Sequence, residues 1–132
     1  MTDTNSISDA KTVLVVEDEG LLRDMVRSFL EGCGHRVLEA DSGSKALEVW
    51  KEREENIDLL LTDMVLPRGI SGLELARGLL ERRPQLKVIF TTGRLVSDLE
   101  REAFEKINAW FLQKPFQLGD LIQLVNEALK AP

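Results

Sequence analysis

The amino-acid sequence predicts an α/β domain in which helices cover both faces of a five-stranded parallel sheet. Short apolar or β-branched runs alternate five times with longer stretches of helical period, which is typical of strand–helix units. Three of the runs are apolar almost throughout, as expected for parallel strands buried on both faces. Polar or charged residues close four of the runs at the same end, where sheets of this kind bind their ligands.

The apolar runs give the positions of the strands. Each run is short, and this length is typical of strands rather than of helices. Five strands are predicted, at Thr12–Val16, His35–Ala40, Ile57–Thr62, Lys87–Thr92 and Ala109–Lys114. The polar, aperiodic residues 1–11 are predicted to form a disordered N-terminal tail, and the folded domain is predicted to span residues 12–130.

Apolar residues at helical spacing, together with capping signals, give the positions of the helices. Five helices are predicted, beginning near Leu21, Ser42, Ser71, Ser97 and Leu118. The third and fourth begin with the serine-to-glutamate spacing of a capping box, in which side chains bond to free backbone N–H groups. Gly32 and Gly34 are expected to end the first helix, and Pro84 is expected to end the third.

The polarity of the runs also predicts the order of the strands. Val13–Val16, Leu59–Leu61 and Val88–Phe90 are continuously apolar, so the first, third and fourth strands should be central. The second run contains Arg36 and Glu39, and the fifth run is also more polar, which suits the two edges. The predicted order is 2-1-3-4-5, the flavodoxin-like doubly wound arrangement, whose ligand crevice lies beyond the carboxyl ends of the strands.

Acidic side chains lie at the two strand ends that flank this crevice. Glu17 and Asp18 follow the first strand, and Asp63 follows the apolar part of the third. Because three converging carboxylates repel one another, a hard divalent cation such as Mg²⁺ is the expected ligand. Asp63 stands alone at the end of a central strand, where its carboxylate is well placed to attack phosphorus.

Two further strand ends can stabilise a phosphoryl group. Thr92 offers a hydroxyl at the end of the fourth strand, and Lys114 offers a positive charge at the end of the fifth. Phosphoryl transfer depends mostly on positioning and electrostatic stabilisation, which these groups provide. Each signal alone is common in turns and helix caps. Their occurrence together, in this order, predicts a functional site.

Composition and charge exclude several classes of protein. The net charge is −6 with acidic and basic residues interleaved, so there is no basic stripe to bind a nucleic acid directly. The apolar stretches are too short to span a membrane. Cys33 is the only cysteine, which excludes an internal disulfide and fits a reducing cytosol. A cytoplasmic location is therefore expected.

Five stretches at the strand and helix ends form an ordered set. They are Val-Val-Glu-Asp-Glu (15–19), Leu-Leu-Thr-Asp-Met-Val-Leu-Pro (60–67), Ser-Gly-Leu-Glu-Leu-Ala (71–76), Val-Ile-Phe-Thr-Thr-Gly (88–93) and Phe-Leu-Gln-Lys-Pro-Phe (111–116). Together they resemble the receiver domain of bacterial two-component response regulators, over about residues 12–129. The loop from Pro67 to Gly72 is one residue longer than usual, and this form is most similar to receivers of hybrid sensor histidine kinases. Such a receiver would be cytoplasmic, alone or within a membrane-associated hybrid kinase.

The resemblance implies a role for each acidic residue and for the lysine. Asp63 would accept the phosphoryl group. Glu17 and Asp18 would bind Mg²⁺ together with Asp63 and the main-chain carbonyl of Val65. Lys114 would pair with the phosphoryl oxygens. Such a chain would promote its own phosphorylation and dephosphorylation and is not expected to be a stand-alone enzyme.

The resemblance also implies a switch. Thr92 would turn its hydroxyl toward the phosphoryl group, and Phe111 stands where many receivers have a switching tyrosine. A phenyl ring cannot make the hydrogen bond of that tyrosine. The peptide bond before Pro115 is expected to be cis. Val65 offers no polar side chain to orient an attacking water, so slow hydrolysis of the phosphoryl group is expected.

The implied partners are a phosphodonor and a target. The donor would be a phosphohistidine on a separate histidine kinase or histidine phosphotransfer domain, because the only histidine here, His35, begins an edge strand. The fourth helix, fifth strand and fifth helix would form an output face that binds a partner or a second copy of the chain. The exposed residues of this face are expected to include Arg94, Arg101, Glu105, Gln113 and Gln117.

Other functions share parts of this pattern. A haloacid-dehalogenase-type phosphatase also uses a strand-end aspartate and Mg²⁺, but it has a second aspartate at the position that Val65 occupies here. A flavin-binding module shares the sheet topology, but its phosphate loop is rich in Ser, Thr and Gly, unlike Glu17–Gly20. A receiver-like interaction module that is not phosphorylated is the third alternative.

Overall fold

The computed structural model describes residues 10–93, 102 and 106–132 of the chain. Its strands are β1 (Thr12–Val16), β2 (Arg36–Ala40), β3 (Leu59–Asp63), β4 (Lys87–Thr92) and β5 (Trp110–Gln113). Its helices are α1 (Gly20–Gly32), α2 (Gly43–Arg53), α3 (Gly72–Arg82) and α4 (Leu118–Lys130), with a 3₁₀ turn at Glu54–Asn56. Residues 94–101 and 103–105, on which most of the helix predicted from Ser97 falls, and residues 1–9 of the predicted tail lie outside the described residues. None of the helices in the described part of the chain could cross a membrane.

The five strands form one parallel sheet in the order β2-β1-β3-β4-β5. The predicted fold class and strand order are therefore confirmed. β1 is buried at every position, and β3 and β4 are buried at all but one, whereas β2 and β5 are mostly half-buried. Val16 of β1 pairs with Thr62 of β3, so the residues that follow these two strands meet at one edge of the sheet.

Alternating side chains of the central strands supply two separate cores. On one face, Leu14 and Leu60 pack with α2 and α3 in a cluster that includes Trp50 and Leu75. On the other face, β1, β3 and β4 pack against α1 and α4 in a cluster that contains Val13, Val15, Val26, Leu59, Leu61, Ile89, Leu121 and Val125. Because successive strand residues point to opposite faces, a run that is apolar throughout can serve both cores.

The predicted capping signals act as helix starts where the structure describes them. Ser71 Oγ accepts a hydrogen bond from Glu74 N at 3.1 Å, and Glu74 Oε1 accepts one from Ser71 N at 3.0 Å. This is a complete capping box at the start of α3. Ser42 Oγ accepts a hydrogen bond from Lys45 N at 3.2 Å and caps α2. Both helices therefore begin where the sequence predicts, just beyond the carboxyl end of the sheet.

The boundaries of four segments differ from the predictions. β2 begins at Arg36, one residue later than predicted. Lys11, assigned to the tail, already pairs with the sheet, because its carbonyl accepts a hydrogen bond from Arg36 N at 2.8 Å. The predicted third strand began two residues too early. Ile57 is fully buried but precedes β3, and Asp58 uses its side chain to accept a hydrogen bond from Thr12 N at 2.9 Å. β5 is shorter than predicted by one residue at each end.

Candidate functional site

Three carboxylates meet beyond the ends of β1 and β3. Glu17, Asp18 and Asp63 each offer a ligand oxygen, and these oxygens all lie within 4.8 Å of one another. Glu17 is buried, Asp63 is half-buried and Asp18 is exposed. The sequence predicted this convergence from the strand order. The structure adds that the three side chains differ in their access to solvent.

Lys114 lies between two of these carboxylates. Its Nζ atom is 2.7 Å from Glu17 Oε1 and 2.8 Å from Asp63 Oδ2, which are distances of charge-assisted hydrogen bonds. The main chain holds the lysine at this position, because Lys114 N donates to the carbonyl of Thr92 at 2.7 Å. The peptide bond between Lys114 and Pro115 is cis. The predicted lysine and two of the predicted carboxylates thus form one ionic cluster.

Burial and pairing change the acidity of this cluster. Burial raises the pKa of the Glu17 carboxyl, although hydrogen bonds from Lys114 and from the N–H of Glu19 oppose the rise. Burial of the Lys114 ammonium works to lower its pKa. Hydrogen bonds to Asp63 and Glu17 outweigh that effect, so the pKa of Lys114 is raised. The lysine is therefore a stable positive charge at neutral pH.

Backbone groups fix the orientation of the two carboxylates that bind Lys114. Asp63 Oδ1 accepts a hydrogen bond from Val65 N at 3.1 Å, which leaves Oδ2 for the lysine. Glu17 Oε2 accepts one from Glu19 N at 3.0 Å, which leaves Oε1 for the lysine. Arg23 donates to the main-chain carbonyl of Glu17 at 2.8 Å and so ties the first turn of α1 to the end of β1. Sequence reasoning missed Glu19 and Arg23, because their roles are local hydrogen bonds.

The predicted switch residues lie on β4, which is next to the strand of Asp63, and on β5, which is one strand further. Thr92 is buried at the end of β4, where it pairs in register with Gln113. Phe111 is half-buried on β5, and its ring stacks on Phe90 with 5.7 Å between the centroids and 28° between the planes. The structure thus places Thr92 beside the end of β5, just before Lys114, and it places the Phe111 ring against the core side chain of Phe90.

Two residues of the predicted output face can be located. Gln113 and Gln117 are both exposed. The other three, Arg94, Arg101 and Glu105, lie outside the described residues.

The donor set suits a hard divalent cation. All three side chains are carboxylates, so they supply only oxygen ligands, and one of them is open to solvent. Mg²⁺ takes oxygen ligands and keeps several waters, so it is commonly bound by one or two carboxylates together with phosphate oxygens. Lys114 neutralises only one of the three negative charges. The residues present therefore fit a Mg²⁺ site, with Asp18 as its most accessible ligand.

The sequence profile of the response regulator receiver domain family matches residues 13–126. The chain belongs to this family. It is 37% identical over 121 residues to the response regulator receiver protein CpdR of Brucella abortus (strain 2308), covering 92% of this chain and 98% of CpdR. It is 36% identical over 124 residues to the sensor kinase CckA of the same organism, covering 94% of this chain but 13% of CckA.

Solved structures of receiver domains have the same fold. The receiver domain of the hybrid histidine kinase CckA is 30% identical with a TM-score of 0.76, and the match covers 90% of this chain and 99% of that domain. The non-phosphorylated HemR receiver domain of Leptospira biflexa is 27% identical with a TM-score of 0.83, covering 92% and 96%. The resemblance stated from the sequence is thus confirmed. As a receiver domain, the chain acts in two-component signalling, where receivers interact with histidine kinases.

Proposed function

We propose that this receiver is a phosphoacceptor in a two-component phosphorelay, with Asp63 as the phosphorylated residue. One observation carries the proposal. Lys114 Nζ bridges Glu17 and Asp63 at 2.7 and 2.8 Å, within a cluster whose third carboxylate is exposed. A purely structural ion pair would not need a third, uncompensated carboxylate beside it, because like charges in proximity are destabilising.

Asp63 accepts the phosphoryl group from a phosphohistidine. A carboxylate oxygen of Asp63 attacks phosphorus, the bond between phosphorus and the donor's imidazole nitrogen breaks, and the imidazole leaves with the electron pair. The hydrogen bond from Val65 N holds the carboxylate in one orientation during the attack. Lys114 keeps its positive charge and stabilises the negative charge on the phosphoryl oxygens.

Glu17, Asp18, Asp63 and the main-chain carbonyl of Val65 hold Mg²⁺. When bound, this ion neutralises charge on the phosphoryl oxygens and on the carboxylates. The exposed Asp18 gives the ion its route to the site, and the buried Glu17 keeps Lys114 in place. The proposal thus assigns different tasks to the two neighbouring acidic residues.

Thr92 and Phe111 link the phosphoryl group to the output face. Thr92 ends the strand next to Asp63, so its hydroxyl is positioned to turn toward a group on Asp63. Phe111 faces the core on the neighbouring strand and responds by a change of rotamer. The face formed by the helix predicted from Ser97, β5 and α4 then binds a partner protein or a second copy of the chain. A phosphoryl group shifts this equilibrium only as far as it binds one state better than the other.

The cellular setting follows from the same proposal. The donor is a histidine kinase or a histidine phosphotransfer domain, and the domain spans residues 12–130. It acts in the cytoplasm, either as a single-domain regulator or as one part of a hybrid kinase. It is not an enzyme toward other substrates. Val65 beside Asp63 makes the phosphoryl group long-lived, because its side chain cannot orient a water.

The first test is direct phosphorylation. The protein is incubated with Mg²⁺ and acetyl phosphate, and its intact mass is compared with that of an Asp63→Asn variant and of an EDTA control. One phosphoryl group on the wild type alone is the expected result. If the wild type takes up no phosphoryl group and also fails to bind Mg²⁺ or beryllofluoride, the proposal is refuted. The alternative of a non-phosphorylated interaction module would then replace it.

A further inference from the structure

The main chain of Asp63 is in unusually close contact with the start of α3. A Cβ atom built at Gly72 would lie 2.0 Å from the carbonyl oxygen of Asp63 and 3.1 Å from Met64 Cα. Gly72 is buried, and its N–H donates to the carbonyl of Met64 at 3.1 Å. Only a residue without a side chain fits here. The first residue of α3 therefore rests directly on the backbone that carries Asp63.

A second close contact holds Ile70, near the end of the loop that connects β3 to α3. A Cβ atom built at Gly43 would lie 2.5 Å from Ile70 Cγ1 and 3.1 Å from the carbonyl oxygen of Ile70. Ile70 is half-buried and packs against the core cluster that includes Trp50 and Leu75. The loop of residues 64–71, which includes most of the longer Pro67–Gly72 stretch noted in the sequence, thus sits on the first residue of α2. Gly43 contacts it at Ile70, and Gly72 follows two residues later against the main chain of Asp63.

We infer that Gly72 and Gly43 are positioning residues for Asp63. They allow the loop to approach closely enough to fix the end of β3, so that the Asp63 carboxylate stays within 2.8 Å of Lys114. Neither glycine touches a reacting atom. The inference deepens the proposed phosphoacceptor function and rests on it.

The size of the effect follows from the distances. To bring the Gly72 Cβ from 2.0 Å to the lowest contact distance of real Cβ atoms, 3.0 Å, α3 and Asp63 must move apart by about 1 Å. A displacement of that size near reacting groups can cost about a hundredfold in rate. We expect Gly72→Ala to slow phosphorylation of Asp63 by about 10- to 100-fold. Gly43→Ala meets a side chain first, so a smaller loss of about three- to tenfold is expected.

The experiment measures the initial rate of phosphorylation by acetyl phosphate at saturating Mg²⁺, well below the melting temperature of every variant. Gly78→Ala is the matched control, because Gly78 lies in the same helix and a Cβ there meets nothing within 4 Å. Leu79→Ala is a second control that destabilises the core without touching the site, since Leu79 is buried in α3. Thermal unfolding and circular dichroism report folding for each protein.

The inference holds if Gly72→Ala loses rate while Gly78→Ala and the destabilised Leu79→Ala keep the wild-type rate. It is overturned if Gly72→Ala matches the wild type, or if Leu79→Ala loses as much rate as Gly72→Ala. If Gly72→Ala does not fold, the phosphorylation rate of Gly43→Ala replaces it in the test. A wild-type rate in Gly43→Ala overturns the inference. A wild type that takes up no phosphoryl group and also fails to bind Mg²⁺ or beryllofluoride refutes the proposed function first, and the inference falls with it.

Discussion

Neutralising Asp18 should stabilise the protein in the absence of divalent cations. The Asp18 carboxylate lies within 4.8 Å of ligand oxygens from Glu17 and Asp63. Among the described residues, Lys114 Nζ bonds to Glu17 and Asp63 but not to Asp18. Two like charges about 4 Å apart repel by about 1 kcal/mol in water and by about 4 kcal/mol at an effective dielectric of 20. Because Asp18 is exposed and the lysine offsets part of the repulsion, we expect Asp18→Asn to gain about 1 kcal/mol. For a domain of this size, that is about 4 °C in melting temperature.

The assay is thermal unfolding of the wild type and Asp18→Asn in EDTA and in excess Mg²⁺. Glu48→Gln is the matched control, because it makes the same change in net charge at an exposed position in the middle of α2. A ligand at 100 times its dissociation constant stabilises the folded state by about 2.7 kcal/mol, so Mg²⁺ should raise the melting temperature of the wild type and of Glu48→Gln. It should have little effect on Asp18→Asn. The reasoning is refuted if Asp18→Asn is less stable than the wild type in EDTA, or if its response to Mg²⁺ is undiminished.

Three further predictions concern the lysine and α3. Lys114→Ala should slow phosphorylation of Asp63 about a hundredfold at saturating Mg²⁺, because the variant loses a positioned positive charge; a rate within threefold of the wild type by intact mass would contradict this. Gly78→Ala should raise the melting temperature by a few degrees, since alanine is favoured over glycine in a helix by about 1 kcal/mol and meets no neighbour here. Ser71→Ala should lower it by about 4 °C through loss of the capping box with Glu74, about 1 kcal/mol. Thermal unfolding in EDTA tests the Gly78→Ala and Ser71→Ala predictions, and an unchanged melting temperature in either variant would contradict the prediction for that variant.

Much of the fold could be predicted because burial leaves a strong imprint on parallel strands. A strand with helices on both faces must be apolar throughout, so Val13–Val16 and Leu59–Leu61 identify central strands without any contact information. The order of the strands then brings Glu17 and Asp63 to one edge. The convergence of Glu17, Asp18 and Asp63 was predictable for the same reason, since these residues lie at the ends of those strands.

The start of β3 and the role of Gly72 could not be predicted, because both depend on three-dimensional contacts that do not change the periodicity of apolar residues in the sequence. Ile57 is as buried as any strand residue, yet it lies outside β3, so an apolar run alone could not give the strand boundary. Gly72 was visible only as the residue after a helix cap. Its contact with the carbonyl of Asp63 depends on how closely α3 approaches β3. A glycine at the first position of a capped helix is the one sequence signal that could have indicated it.

The different burial of Glu17 and Asp18 separates the task of the lysine from that of the metal. Glu17 is buried, and its charge is tolerable there because Lys114 bonds to it at 2.7 Å. Asp18 is exposed and has no hydrogen bond or ion pair from its side chain to any residue in the described part of the chain, so a bound cation would be the partner it lacks. Loss of Asp18 should therefore weaken Mg²⁺ binding while Lys114 stays in place. Loss of Glu17 should release Lys114 even when Mg²⁺ is present. A Mg²⁺ titration up to saturation of Asp18→Asn and of Glu17→Gln tests this separation, because only the first variant should regain its phosphorylation rate as Mg²⁺ is raised.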